Sequence, residues 1–384
     1  MSKENKKEKK KGQMGKWISG LLMLLMGGAC GFLIARVADL GEESLGDLVW
    51  DLCFLVLAMY LVMFFQIIIH EAGHLLLGLL TGYQFSSFRI LSFIFIREEK
   101  KLRCKRMSIP GTAGQCLMRP PKMQDGKCPY ILYNLGGVLL NLAAAAACAI
   151  LGVSVSGRVW LSNFFMIMAI VGVFYALQNG IPLHIGDIDN DGCNAISLGK
   201  NPKALQAFWL QMEINGLCAA GKKLSDMPDE WFEMPPKEDM RENVIVAVMG
   251  VFACNRMMEK LEFARADQMM EELLDSGADL MGLHRGCLVA DQIYCEVMGK
   301  NRPQRLEKLL DKEQIAFQKS MKNFPSVLRT QYAYALLARK DEAEAGKLLE
   351  KFQKEAKKYP YPNDIETEQK LIMLCRQKAA MEAA

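Results

Sequence analysis

The sequence has few of the residues that usually mark a metal or redox site. It contains only four histidines in 384 residues, and none of its twelve cysteines forms a CxxC pair. Several cysteines fall within apolar segments, where cysteine acts as a small hydrophobic residue. The sequence therefore predicts neither a disulfide framework nor a cysteine-bound zinc site.

Charged side chains are nearly absent from four long segments in the first half of the chain, residues 17–35, 52–80, 131–153 and 159–177. Each segment is long enough to cross a hydrocarbon layer of about 30 Å, which needs roughly 20 helical residues. The sequence therefore predicts four membrane spans, the last two forming a tight antiparallel hairpin. Apart from Gln66 and the ends of the motifs these spans are nearly bare of polar groups, which argues against a transport pathway for metal ions or protons.

Lysine and arginine are unevenly distributed among the connecting segments. The first 15 residues are strongly basic, the connection after the first span is acidic on balance, and residues 82–129 carry ten lysines and arginines. Because positively charged loops stay on the cytoplasmic side, we expect a multi-pass protein of the cell membrane with both termini in the cytoplasm. The net charge of +4 then reflects topology and not nucleic-acid binding. A cleaved signal sequence is the alternative for residues 17–35.

The second span contains a short motif with metal-binding spacing, His70-Glu71-Ala72-Gly73-His74. On a helix, two histidines four residues apart project from one face and can share a zinc ion. A glutamate beside them is suited to accept a proton from water and to pass it to the leaving amine. The motif is short enough to occur by chance. Its position within an apolar span, where ionisable groups are costly, favours function.

Zinc held by two histidines needs a third protein ligand. The fourth span ends in a turn-rich stretch that contains His184, Asp187, Asp189 and Asp191. The spacing along the second span places His70 at a similar depth. The residues alone leave the choice among the three aspartates open.

Two motifs in this half of the chain are similar to those of a known family. One is the HEAGH sequence that begins at His70, and the other is Asn179-x-x-Pro182 followed by Asp191-Gly192. Over residues 49–200 the chain resembles the site-2 protease family of intramembrane zinc metalloproteases. It departs from the family pattern in the longer stretch between the proline and the Asp-Gly pair.

The resemblance implies a set of site residues. His70, His74 and Asp191 would hold Zn²⁺, Glu71 would be the catalytic base and acid, and Asn179 would stabilise the oxyanion or bind the substrate. Asp191 is preferred among the aspartates because the following glycine permits the turn into the next helix. Asp187 and Asp189 remain alternative ligands. His184 is a further possible ligand, although we expect it to lie behind the ligands or at the membrane surface.

The activity implied by the resemblance is hydrolysis of a peptide bond in or near the transmembrane segment of a membrane-protein substrate. Residues 83–97 are rich in aromatic and β-branched side chains and predict a membrane-associated strand pair, which could bind an unwound substrate along its edge. The alternative function is a non-catalytic membrane scaffold that recruits partners through its C-terminal half.

The C-terminal half is charged and has helical spacing, which predicts a cytosolic all-α domain. We therefore expect a mainly α protein with a basic N-terminus at 1–15, a transmembrane zinc metalloprotease domain at 16–200 and a helical domain at 201–384. The apolar run 244–254 is too short to span and predicts a buried helix. A faint similarity between the segments that begin at Ala264 and Ala343 suggests a tetratricopeptide-like array that binds a protein partner, or an ordinary helical bundle.

Overall fold

The computed structural model describes residues 3–35, 45–98, 101–109, 112–185 and 188–383. The chain is mainly α-helical, with a small antiparallel sheet, as the sequence predicts. It divides into two compact units: Met1–Ile90 with Ala113–Asn201, and Leu91–Thr112 with Pro202–Ala384.

The described residues of the first unit form five α-helices. They are α1 (Lys3–Ala35), α2 (Leu45–Leu80), α3 (Tyr130–Ser154), α4 (Val159–Gly180) and α5 (Asp191–Ser197), the last followed by a 3-10 turn (Leu198–Lys200). Four of them contain segments long and apolar enough to cross a membrane: Gly12–Leu33, Val56–Leu80, Tyr130–Ser154 and Val159–Gly180. Many large apolar side chains on these helices are exposed, Leu24 and Leu80 among them, which suits a surface surrounded by lipid. The four apolar helices indicate a membrane protein.

The helices α2 and α3 approach each other at two glycines. A Cβ atom added to Gly73 would collide with the backbone of Gly136, and one added to Gly136 would collide with the backbone of Gly73. Small residues are favoured at such crossings because they let two backbones touch. The glycine of the HEAGH motif therefore has a structural role that is separate from its histidines.

Four strands follow α2 along the chain: β1 (Gln84–Ile90), β2 (Phe93–Glu98), β3 (Lys101–Arg106) and β4 (Gly114–Arg119). Their order in the sheet is β3-β2-β1-β4. The predicted strand pair is present as β1 and β2, with a turn at Leu91, whose φ is +52°. Strands β3 and β4 were not expected. Strand β4 pairs antiparallel with β1, and Gly114 lies opposite Ile90. Because β4 is the last strand in this order, it forms one edge of the sheet.

A short hairpin precedes α5. It consists of β5 (His184–Ile185) and β6 (Ile188–Asp189). At its base, the backbone N–H of Asn190 donates to the carbonyl of Leu183 at 3.3 Å. The hairpin lies between Pro182 and Asp191-Gly192, in the stretch that is longer than in the family pattern.

The second unit is a helical bundle with the β2–β3 hairpin. Its helices are α6 (Pro202–Ala219), α7 (Lys237–Glu242), α8 (Val244–Glu259), α9 (Phe263–Leu274), α10 (Gly282–Met298), α11 (Pro303–Leu309), α12 (Lys312–Ser320), α13 (Pro325–Ala333), α14 (Glu342–Ala356) and α15 (Pro362–Ala383). Two 3-10 turns (Leu224–Asp226 and Asp229–Phe232) precede α7, and a π-helical segment (Tyr334–Ala338) follows α13.

The apolar run at 244–254 lies in α8 and is largely buried, as predicted. The two similar segments lie in α9 and α14, which pack against α8 and α13 respectively. Arg329 is one of the buried cations of this unit. Its guanidinium is paired with Asp291 at 2.5 Å and with Glu368 at 2.8 Å, which satisfies the charge that burial would otherwise leave uncompensated.

Candidate metal centre

Three ligand atoms from two distant parts of the chain meet in the first unit. His70 Nε2 lies 3.0 Å and His74 Nε2 lies 3.4 Å from Asp191 Oδ2, and the two nitrogens are 3.2 Å apart. Both imidazoles are buried and the carboxylate nearly so. The helix α2 places the histidines one turn apart on one face, and the start of α5 supplies the aspartate.

The tautomer of His74 follows from its second ring nitrogen. Nδ1 lies 2.7 Å from the backbone carbonyl oxygen of Tyr133. A carbonyl can only accept a hydrogen bond, so Nδ1 must carry the proton. In the neutral imidazole Nε2 is then an unprotonated lone pair, and it faces Asp191.

The tautomer of His70 is set by a chain of side-chain amides. Nδ1 of His70 lies 2.8 Å from Asn141 Oδ1, and Asn141 Nδ2 donates to Gln66 Oε1 at 2.7 Å. Gln66 Nε2 in turn donates to the carbonyl of Met168 at 2.8 Å. Because the carbonyl of Met168 can only accept, the amide nitrogen of Gln66 must face it. The amide oxygen of Gln66 then faces the amide nitrogen of Asn141, which leaves the oxygen of Asn141 facing His70. His70 therefore also donates from Nδ1, which leaves Nε2 unprotonated in the neutral imidazole.

With both imidazoles neutral, two nitrogen lone pairs and a carboxylate oxygen face one another. No hydrogen bond to buried Asp191 Oδ2 is found within the described part of the chain. Such a cluster of acceptors could hold a metal ion.

The donor set and its spacing both fit zinc. Ligands at 2.0–2.2 Å from a tetrahedral zinc ion are themselves roughly 3.3–3.5 Å apart. The observed separations of 3.0 to 3.4 Å are close to that spacing. Two imidazoles and one carboxylate are also the ligand types of catalytic zinc sites, which leave one position for water.

The position of Asp191 depends on the residue before it. The side-chain amide of Asn190 donates to the carbonyls of Gln178 and Ile181 at the end of α4, at 2.9 and 2.6 Å. Its Oδ1 accepts from the backbone N–H of Cys193 at 3.0 Å and so caps α5. Asn190 thereby joins α4 to the first turn of α5. Sequence reasoning did not identify this residue, although an asparagine just before a helix is a capping signal.

The turn into α5 does not depend on the conformational freedom of glycine, because Gly192 lies within α5 and is not among the described glycines with positive φ. A Cβ atom at this position would collide with the carbonyl of Gly180, so the glycine is needed for close packing between α5 and α4. The Asp-Gly pair therefore combines a ligand with a contact that positions it.

Glu71 lies beside the edge strand of the sheet. Its side chain is buried, and a Cβ atom added to Gly114 would collide with its carboxylate. Buried Arg89 on β1 donates to the carbonyl of Gly114 at 3.4 Å. The first residue of β4 is thus in contact with the predicted general base.

The remaining candidates are placed as follows. Asn179 donates its amide to the carbonyl of Tyr175, one turn earlier in α4, at 2.9 Å, so the described contacts leave its catalytic role a prediction.

Asp189 contacts His184 and not the histidine pair. Asp187 lies outside the described residues. Among the aspartates that are described, Asp191 is the one that meets His70 and His74.

No protein-family model, curated protein or solved structure matches this chain. The functional argument therefore depends on the geometry of the site.

Proposed function

We propose that this protein is an intramembrane zinc metalloprotease that hydrolyses a peptide bond in or near the transmembrane segment of a membrane-protein substrate. The observation that supports this most directly is the convergence of His70 Nε2, His74 Nε2 and Asp191 Oδ2, with both Nδ1 atoms already occupied. The glutamate that follows His70 completes the set of groups that zinc peptidases use.

Each side chain has a distinct role in this proposal. Zinc, when bound, supplies the Lewis acidity that makes water and a peptide carbonyl more reactive. His70, His74 and Asp191 hold the ion. Glu71 accepts a proton from the attacking water and later donates it to the leaving amine. Asn179 would stabilise the oxyanion or bind the substrate, which requires its amide to leave the carbonyl of its own helix.

The edge strand β4 is the proposed binding site for the substrate backbone. A helical peptide bond is inaccessible until the helix opens, and an exposed strand edge holds an unwound segment extended by main-chain hydrogen bonds. β4 forms one edge of the sheet and begins at Gly114, in contact with Glu71. A substrate strand beside β4 would therefore lie next to the proton acceptor.

The test uses the full-length chain in detergent micelles, with zinc content and peptide cleavage measured on the same samples. The substrate is a synthetic peptide with an apolar segment of about 20 residues interrupted by glycines. We expect Glu71→Gln to keep zinc and lose cleavage, and His70→Ala and Asp191→Ala to lose both. His284→Gln in α10 is the matched histidine control and should change neither.

Two results would contradict the proposal. Zinc content that is unchanged in His70→Ala and Asp191→Ala would show that these residues hold no metal. Cleavage that is equal in the unchanged chain and in Glu71→Gln would favour the alternative, a non-catalytic scaffold that recruits partners through its helical domain.

Three further features belong to the proposal. Both termini would lie in the cytoplasm, because the basic segments favour that side. The helical unit would bind a protein partner, and its α8–α9 and α13–α14 pairs are the candidates for tetratricopeptide-like repeats. The lipid bilayer would surround the four apolar helices.

A further inference from the structure

A second group of metal-binding side chains lies beside the hairpin that precedes α5. His184 is on β5, Asp189 is on β6, and Cys193 is in the first turn of α5. One ligand atom from each residue lies within 4.8 Å of the others. His184 and Asp189 are half-buried, and Cys193 is buried. None of the three contributes to the centre at His70.

The backbone brings these three side chains together. His184 and Asp189 are direct partners in the antiparallel pairing of β5 with β6, so their side chains lie on the same face of the hairpin. The backbone N–H of Cys193 is bonded to Asn190 Oδ1, which fixes the first turn of α5. Asn190 also accepts from Leu183 N at 3.1 Å, at the base of the hairpin. Backbone hydrogen bonds to Asn190 therefore hold both the hairpin and the first turn of α5 next to the cluster.

The distances around the imidazole distinguish two uses of the cluster. His184 Nδ1 contacts Asp189 Oδ1, while Cys193 Sγ lies 3.9 Å from Nδ1 and 3.6 Å from Nε2. In a Cys-His-Asp catalytic arrangement the thiol lies along the Nε2 lone pair, on the far side of the ring from Nδ1. Here the sulfur is almost equally distant from both nitrogens, so a nucleophilic thiol is not the arrangement observed.

The two sulfur-to-nitrogen distances suit a cation shared by Cys193 and His184. A tetrahedral zinc ion with Zn–S near 2.3 Å and Zn–N near 2.0–2.1 Å separates the two ligand atoms by roughly 3.5 Å. Sulfur at 3.6 to 3.9 Å from the ring nitrogens is close to that separation. Asp189 Oδ1 contacts Nδ1 more closely than two ligands of one zinc ion do, so this carboxylate would move away from the ring when the ion binds. A thiolate, an imidazole and a carboxylate together favour zinc over the harder calcium and magnesium ions, and the two negative charges balance a divalent cation.

We propose that His184, Asp189 and Cys193 form a second binding site for a thiophilic divalent cation, Zn²⁺. The ion would hold the β5–β6 hairpin against the first turn of α5, two residues after the ligand Asp191. Its role would be structural, since it would support the segment that positions Asp191. The site does not depend on proteolysis and can be tested independently of it.

Cobalt substitution separates the two sites, because only the second contains a thiolate. Full-length protein in detergent is stripped of metal and titrated with Co²⁺, and the thiolate-to-cobalt charge-transfer absorption is recorded. We expect this absorption in the unchanged chain and in His70→Ala, and its loss in Cys193→Ser. Cys53→Ser, which alters an exposed cysteine, is the matched control and should keep it.

Zinc content gives an independent measure of the same site. We expect two equivalents per chain in the unchanged protein and one in Cys193→Ser, where the equivalent at His70 confirms that the variant is folded. If Cys193→Ser loses both ions, His184→Gln and Asp189→Asn are used, and loss of one equivalent in either supports the site. Full cobalt absorption in Cys193→Ser, or two zinc equivalents in all three variants, would overturn it.

Thiol reactivity decides between a metal ligand and a free nucleophile. We expect added Zn²⁺ to slow alkylation of Cys193 by iodoacetamide at least tenfold, with no such protection in His184→Gln. An alkylation rate of Cys193 that is the same with and without Zn²⁺ would overturn the proposal.

Discussion

Asn141 Oδ1 accepts from Nδ1 of His70 at 2.8 Å, so an amide in α3 determines which nitrogen of a histidine in α2 is available to a metal ion. Groups behind the ligands commonly tune metal binding in this way. The amide itself is oriented through Gln66, whose own partner is a backbone carbonyl. The tautomer is therefore built into the packing of the apolar helices.

We expect Asn141→Ala to weaken zinc binding by about 10- to 100-fold, because His70 loses the acceptor that keeps its proton on Nδ1. Competition with a chelator of known affinity, on the full-length chain in detergent, measures this change. Asn134→Ala is the matched control, since Asn134 is also buried in α3 but bonds to Tyr130 of its own helix. An unchanged zinc affinity in Asn141→Ala would contradict the role given to this amide.

We expect Gly114→Ala to impair cleavage while zinc stays bound, because the added Cβ would displace the carboxylate of Glu71. The comparison is the ratio of cleavage rate to zinc content in the same preparation. Gly346→Ala, at an open position in α14, should leave the ratio unchanged. Equal ratios in the two variants would show that β4 and Glu71 are not in functional contact.

We expect Gly73→Ala to destabilise the first unit, because the Cβ would push α2 away from α3 where Gly73 meets Gly136. Overpacking of this kind typically costs about 1–3 kcal/mol. Thermal unfolding of the full-length chain in detergent should show a lower midpoint, together with a reduced zinc content. Gly20→Ala in α1, where no atom lies within 4 Å of the added Cβ, is the control. A midpoint equal to that of the control would mean that the helices tolerate separation.

The second unit should lose stability in acid through Glu296. Hydrogen bonds from Arg302 lower the pKa of this buried carboxyl to about 2, against 4.5 for the ordinary group. A lowered pKa in the folded state means that the stabilisation is present above pH 4.5 and is lost as the pH falls towards 2. Because Arg302 is half exposed to solvent, we expect a contribution of only about 1–2 kcal/mol.

The measurement is the free energy of unfolding of the full-length chain between pH 5 and about pH 2, the range over which the shifted carboxyl titrates. Glu296→Gln should be less stable at pH 5 and should show a flatter pH dependence than the unchanged chain. Glu350→Gln, at an exposed position in α14, should follow the unchanged chain. Parallel pH profiles for Glu296→Gln and the unchanged chain would contradict this assignment.

The sequence by itself determined the parts of this protein that depend on local spacing. The apolar runs are long enough to predict the four membrane helices, and histidines four residues apart on a helix must share a face. The buried helix α8 followed from the length of the apolar run at 244–254, which is too short to span a membrane. Strands β3 and β4 were missed because β3 is largely charged and exposed, and both are stabilised by pairing with other strands and not by their own composition.

Only the tertiary structure decided which aspartate meets the histidines and which tautomers they adopt. His70 and Asn141 are 71 residues apart, and His74 and Tyr133 are 59 apart, so no local pattern relates them.

The β5–β6 hairpin turns Asp189 towards His184 and leaves Asp191 at the start of α5. The spacing of these residues along the chain could not predict which aspartate would face which histidine. The physical reason is that hydrogen-bond direction and metal geometry depend on where separate helices cross, and close backbone contacts at glycines such as Gly73 set those crossings.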